Sequence, residues 1–132
     1  MIKNILELKK LWAYLFWLWA ILILVLSSLP NIPTQKVNIW DEPFRLDYVE
    51  HFGIFAIWGG MFVIWKAKEH IFNWKNYFWF IIAMLLFAAI DEIHQNWIEG
   101  RTYNPLDLIY NVVGVISAFV IGPYFLRWVY KK

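Results

Sequence analysis

The chain has 132 residues, of which 61% are apolar, 21% aromatic and 17% charged, and its mean hydropathy is +0.50. A water-soluble domain this short has too little interior to hide so much apolar surface, so composition excludes a soluble enzyme, a disordered tail and a disulfide-stapled mini-protein. The absence of cysteine excludes thiol catalysis and Cys-ligated zinc or iron–sulfur centres, and the formal net charge of +2 is too small to point to a nucleic-acid partner.

A bilayer core of about 30 Å needs roughly 20 apolar residues per helix. Four stretches meet that need, at about 11–29, 48–65, 77–97 and 106–126. The predicted fold is therefore all-α, a polytopic membrane protein with four transmembrane helices in one bundle and a single domain over 1–132. The first stretch follows Lys3, Lys9 and Lys10, an order shared with secretory signal peptides. It is too long for an ordinary signal core, and Ser27-Ser28-Leu29-Pro30 lacks an Ala-x-Ala site, so it is expected to remain as a membrane helix.

The loop after it carries Pro30, Pro33 and Pro43, which forbid a continuous helix. Asp47 then opens the second helix as a candidate N-cap, with Glu50 at N3 in a capping-box variant. The loop between the second and third helices is charged, and His70 within it is expected to be solvated. A Gly100-Arg101 turn separates the third helix from the fourth. Asn104-Pro105 reads as N-cap and N1, which puts Asp107 at N3, where the positive helix end favours a carboxylate.

Charge patterning orients the bundle. Of the twelve Lys and Arg, nine lie at three places: Lys3, Lys9 and Lys10; Lys66, Lys68 and Lys75; and Arg127, Lys131 and Lys132. The positive-inside rule places both termini and the second loop in the cytoplasm. Trp12, Trp65, Trp74, Trp128 and Tyr130 then lie at the inner interface, and Trp40, Tyr48, Trp97 and Tyr103 at the outer one.

Ionisable residues within a span cost on the order of 2.5–3.5 kcal/mol by insertion scales, so they usually face partners or a cavity. Here they gather at the outward ends: Asp47, Glu50 and His51 on the second helix, Asp91, Glu92, His94 and Gln95 on the third, and Asp107 and Asn111 on the fourth. Arg101 lies in the loop between two of those ends. Residues three or four apart share a helix face, which pairs Asp47 with His51, Asp91 with His94 and Gln95, and Asp107 with Asn111. Below Asn111 the same face continues as Gly114, Ala118 and Gly122, a small-xxx-small ladder suited to close helix approach rather than chemistry. Capping explains part of the case for Asp47 and Asp107. It does not explain Asp91 and Glu92, which sit in last turns where the helix dipole disfavours carboxylates. These two residues either join an ion network or bind something.

The run Asp91-Glu92-Ile93-His94-Gln95, then Gly100-Arg101, then Asp107, Asn111 and Gly114 resembles the signature of the VanZ-like family of bacterial integral membrane proteins, roughly DE-x-HQ, GR, D-x3-N-x2-G. Asp47-x3-His51-Phe52 is similar to that family's second motif, D-K-x2-H-F, with Tyr48 in place of the usual Lys. The resemblance covers about residues 10–125. It implies a four-helix membrane protein of the cell envelope, and the family's founding member is linked to resistance to the glycopeptide teicoplanin.

Two functions fit these residues best. As a binding site, Arg101 has the fork geometry for phosphate or carboxylate. With Asp47, His51, Asp91, Glu92, His94, Gln95, Asp107 and Asn111, it would hold a membrane lipid, a lipid-linked cell-wall precursor or a glycopeptide. As a membrane-embedded hydrolase or transferase on an envelope lipid, the chain would use His51, Asp91, Glu92 and His94 for acid–base work, with Arg101 stabilising developing charge. Against catalysis, Ser27, Ser28 and Ser117 are expected to lie outside the cluster. Asp, Glu and His together can also hold a divalent ion, but Asp-x2-His is weakly diagnostic and no metal ligand is assigned. Transport would need ionisable groups in the inner halves of the spans, and the sequence has none there. A purely structural ion network would leave the same residues in place. Enzyme status, cofactors and oligomeric state are left open.

Overall fold

The computed structural model describes residues 8–31, 36–39, 42–68 and 71–131, together with residues 4 and 6. Lys3, Pro33, Trp40, Asp41, His70 and Lys132 lie outside the described residues.

Four helices form the fold: α1 (Lys9–Ser27), α2 (Asp47–Lys66), α3 (Phe78–His94) and α4 (Pro105–Tyr130). Each is long and apolar enough to cross a membrane, α3 being extended by the 3-10 turns Trp74–Tyr77 and Gln95–Trp97. The first helix ends two residues earlier than its apolar run. The Ser28 hydroxyl donates to the Leu24 carbonyl at 2.6 Å, competing with the helical ladder, and Pro30 follows. The fourth helix continues through Pro123 to Tyr130, four residues past the expected end.

The Pro-rich first loop is not wholly irregular. It contains a two-stranded antiparallel hairpin, β1 (Lys36–Ile39) with β2 (Glu42–Arg45), in which Pro43 lies opposite Asn38. Both strands of a two-stranded hairpin are edges, where the missing proline N–H is tolerated. The expected capping box at Asp47 is absent: the N-cap is Leu46, no side chain caps the helix, and Asp47 and Glu50 fall at N1 and N4. Asn104 and Pro105 do take the N-cap and N1 positions, with Asn104 Oδ1 accepting from the Leu106 N–H at 3.1 Å.

The most extensive helix contact is between α2 and α4, with α1 packed on α2 and α3 on α4. The small-residue ladder explains the central pair. A Cβ on Gly114 would come within 2.5 Å of the Phe52 carbonyl oxygen and 3.0 Å of the Ala56 nitrogen, and one on Gly122 within 3.1 Å of Val63. The partner helix contributes Gly59, where a Cβ would lie 2.7 Å from the Ala118 methyl. Backbones that approach this closely gain dispersion contacts, the main attraction between helices in lipid.

Away from the polar end, the interior is aromatic. Phe62 stacks on Phe80 at 4.6 Å and Phe16 on Trp58 at 5.2 Å between centroids. The indoles of Trp58 and Trp19 donate to the carbonyls of Phe16 and Ile54 at 3.2 and 3.0 Å, so their polar edges are satisfied. Tyr14, Trp79, Ile90 and Ile121 are exposed, as lipid-facing side chains are. Lys9 Nζ donates to the Ile64 carbonyl at 2.7 Å and the Tyr77 hydroxyl to the Lys66 carbonyl at 3.2 Å. These bonds bring the start of α1, the end of α2 and the start of α3 to one end of the bundle, opposite the carboxylate cluster.

Candidate functional site

The cluster is built from the last turn of α1, the first turns of α2 and α4, the end of α3, and the first and third loops. Asp91, Glu92, Gln95, Asp107 and Asn111 are buried, and His51 and His94 are half-buried. All nine site residues expected from the sequence are at this end, but the pairing among them differs from what helical spacing gives.

Asp47 pairs with Arg45 instead of His51. The Arg45 guanidinium donates Nε to both Asp47 oxygens at 3.1 and 3.0 Å and bonds one of them through Nη2 as well. The hairpin folds Arg45 back over the start of α2, and its Nη2 also lies 3.5 Å from Asp107 Oδ2. The hydrogen bond to Asp47, aided by the charge on Asp107, pushes the guanidinium pKa above its ordinary value against the opposing effect of desolvation.

His51 turns toward α4. Its Nδ1 lies 2.9 Å from Asn111 Oδ1. A carbonyl oxygen can only accept, so Nδ1 donates and Nε2 is left facing Asp107 Oδ2 at 3.9 Å.

Asp91 turns toward α1 instead of His94 or Gln95. Ser27 Oγ donates to its Oδ1 at 2.6 Å, and both residues are buried. This corrects the expectation that Ser27 lies outside the cluster. The contact depends on how α1 and α3 sit side by side, which no spacing along the chain encodes. Among the described residues His94 Nδ1 has no hydrogen-bond partner, and its ring packs edge-on against Trp97 at 6.2 Å.

Glu92 has a specific task. One oxygen accepts from Gln95 Nε2 at 3.2 Å and the other from the backbone N–H of Asn104 at 3.1 Å. In a capping box, the N3 side chain satisfies the N-cap N–H. Here that bond comes from the preceding helix, leaving the N3 residue, Asp107, to face Arg45 at 3.5 Å and His51 Nε2 at 3.9 Å.

Arg101 closes the loop onto α1. It donates Nε to the Leu29 carbonyl at 2.9 Å, Nη2 to the Leu26 carbonyl at 3.0 Å and Nη1 to Gln95 Oε1 at 2.9 Å. Two of these acceptors are backbone carbonyls in the last turn of α1 and just past it, and the third is a side-chain amide, so the guanidinium expected to read a ligand is held by the bundle. Gly100, with φ of 75°, makes the turn that delivers it.

Between these elements lies a cavity of about 360 Å³. Its polar lining includes Arg45, Asp47, His51, Asp91, Arg101 and Asp107, and Ser27 and Glu50 also line it. Ile23, Leu26, Ile54 and Phe55 form an apolar side. Sequence reasoning missed two participants, Arg45 and Ser27. Arg45 carried a faint signal, as a charge two residues ahead of Asp47 in a loop assigned to the same end. One ligand atom from each of His51, Glu92 and Asp107 lies within 4.8 Å of the others, and these residues could share a cation.

Fold and site together define a multi-pass membrane protein whose four-helix bundle encloses a cluster of ionisable groups at one end. The family model described as VanZ/LLP1 matches residues 11–127, and the chain belongs to the VanZ-like family. No curated protein and no solved structure matches the chain.

Proposed function

We propose that this VanZ-like protein lies in the cytoplasmic membrane of a bacterium, with both termini and the second loop in the cytoplasm, and that its outward cavity binds the head of an envelope lipid such as a lipid-linked cell-wall precursor. The orientation is supported by the basic residues at the end opposite the cavity, as the positive-inside rule requires. The observation that carries the ligand reading is the divided lining of the cavity, with Ile23, Leu26, Ile54 and Phe55 against charged and amide groups. A site for an amphiphile needs both an apolar wall and a few placed polar groups. Arg45, whose side chain is 29% exposed, is the guanidinium at hand for a phosphate, while the carboxylates accept from hydroxyl groups of a sugar head.

Native mass spectrometry of the purified protein tests this reading. A lipid-linked phosphate or phospholipid should accompany the wild type and be depleted in Arg45→Gln and in Ile54→Trp, which fills the apolar side. Equal retention in all three, or no bound lipid in any, overturns it. Through the same ligand class the protein is proposed to affect glycopeptide susceptibility, which comparing the teicoplanin tolerance of cells with and without the gene would check.

A second reading, hydrolysis or transfer on the same lipid head, is favoured by one contact: the Ser27 hydroxyl hydrogen-bonds the Asp91 carboxylate within the cavity wall. Loss of product formation in Ser27→Ala with lipid retention unchanged would select it over binding alone.

A further inference from the structure

We propose that His51, Glu92 and Asp107 form a binding site for one divalent transition-metal ion, Zn2+ or Mn2+, at the wall of the outer cavity that His51 and Asp107 line. The argument begins with the hydrogen-bond inventory. Asn111 Oδ1 takes the Nδ1 proton of His51 at 2.9 Å, so neutral His51 presents the bare lone pair of Nε2. One ring nitrogen of His51 and a carboxylate oxygen from each of Glu92 and Asp107 lie within 4.8 Å of one another, and Nε2 itself is 3.9 Å from Asp107 Oδ2. All three are acceptors, and acceptors do not satisfy one another.

The surroundings strengthen the case. Asp107 is 4% exposed, and among the described residues its Oδ1 has no hydrogen bond within 3.5 Å, although the Asn104 amide lies beside the carboxylate. Buried polar atoms are nearly always paired in native structures, so an unmatched carboxylate oxygen beside two other acceptors points to a positive species between them. The nearest cation, Arg45, is already engaged with Asp47 and reaches Asp107 only at 3.5 Å.

The donor set decides the ion. One imidazole with two carboxylates suits Zn2+ or Mn2+ better than Ca2+, which takes six to eight oxygens. Ligand bonds of about 2.0–2.2 Å need only a modest inward movement of these side chains. The contact from Asn111 to His51 is the outer-shell bond that commonly fixes the tautomer of a metal-binding histidine. Three protein ligands leave coordination positions open for water or a phosphate oxygen entering from the cavity. The metal site does not depend on the lipid reading, and it is tested without lipid.

The test uses the full-length protein in detergent, stripped with a chelator and titrated with ZnCl2 or MnCl2 alone. The wild type should bind one equivalent, with Co2+ as a spectroscopic substitute showing mixed nitrogen and oxygen ligation. Glu92→Gln and Asp107→Asn, which keep shape, should lose that binding. Asn111→Ala should weaken it by about 10–100-fold, and Glu99→Gln, a carboxylate in the outer loop, should leave it intact. A stripped wild type that takes up no ion overturns the proposal and assigns the positive species to a proton on the His51–Asp107 pair. Uptake undiminished in both Glu92→Gln and Asp107→Asn also overturns it. If a variant fails to fold, the Co2+ spectrum of the wild type alone decides: oxygen-only ligation rejects His51 as a ligand.

Discussion

Ser27 at the end of α1 donates its hydroxyl proton to Asp91 near the end of α3, at 2.6 Å and in the buried part of the bundle. This bond ties the cluster ends of two helices that otherwise touch little. A carboxylate in the last turns of a helix opposes the dipole, and the Ser27 hydroxyl offsets part of that cost. Ser27→Ala should therefore destabilise the protein by about 1–3 kcal/mol, the cost of leaving a buried acceptor unmatched. Thermal unfolding in detergent measures it. In a double-mutant cycle with Asp91→Ala the two effects should be non-additive, and strict additivity would mean that the pair contributes nothing.

Arg101 is expected to act on stability and loop order more than on ligand affinity. Two of its three bonds join the third loop to the carbonyl end of α1 and the third holds it to Gln95, so Arg101→Ala should cost about 1–2 kcal/mol after allowing for partial solvent access. Hydrogen exchange should rise at the Asn31 amide, which donates to the Glu99 carbonyl at 3.2 Å. Arg101→Lys should rescue little, because a point charge cannot span three acceptors. Unchanged exchange in Arg101→Ala would show that the loop is held by other contacts.

The central helix pair offers a matched comparison. Gly114→Ala drives a methyl into the Phe52 carbonyl and the Ala56 nitrogen, and overpacking of this kind costs about 1–3 kcal/mol. Gly53→Ala meets nothing within 4 Å and should be neutral or stabilising by about 0.5–1 kcal/mol through helix propensity. Equal stability of the two variants would contradict the close approach of α2 and α4.

At the start of α4, Asn104→Ala should lose about 0.5–2 kcal/mol, and Asn104→Gly only a few tenths. Glu92→Gln weakens the bond that the same residue's N–H makes to the carboxylate, because hydrogen bonds to an ionised acceptor are roughly twice as strong as neutral ones. Its effect should persist in the Asn104→Gly background, since the backbone N–H remains. If the loss vanishes there, Glu92 acts through the Asn104 side chain.

Much of this architecture follows from short-range pattern. Apolar run length sets the four spans, Asn104-Pro105 sets the start of α4, and the spacing of Gly114, Ala118 and Gly122 sets the face that meets α2. Each is a relation between residues within a few turns, where helical geometry leaves little choice. The same periodicity gathers Asp47, His51, Asp91, Glu92, His94, Gln95, Asp107 and Asn111 at one end, and the motif from Asp91 to Gly114 points to the VanZ-like family that the match over residues 11–127 establishes.

The bonds within the cluster arise differently. Asp47 and His51 share a face, yet Asp47 meets Arg45 from the hairpin and His51 meets Asn111 across α2 and α4. Asp91 finds Ser27 on α1, Glu92 finds the Asn104 N–H, and Arg101 finds the carbonyls of Leu26 and Leu29. Apart from Arg45 and Asp47, which are two residues apart, these partners are 12 to 75 residues apart in the chain and come together only through helix rotation, depth and approach, which depend on packing over the whole bundle. A strip of polar residues on one helix shows that partners are needed. Which groups serve depends on what the neighbouring helices bring within about 3 Å, the reach of a hydrogen bond.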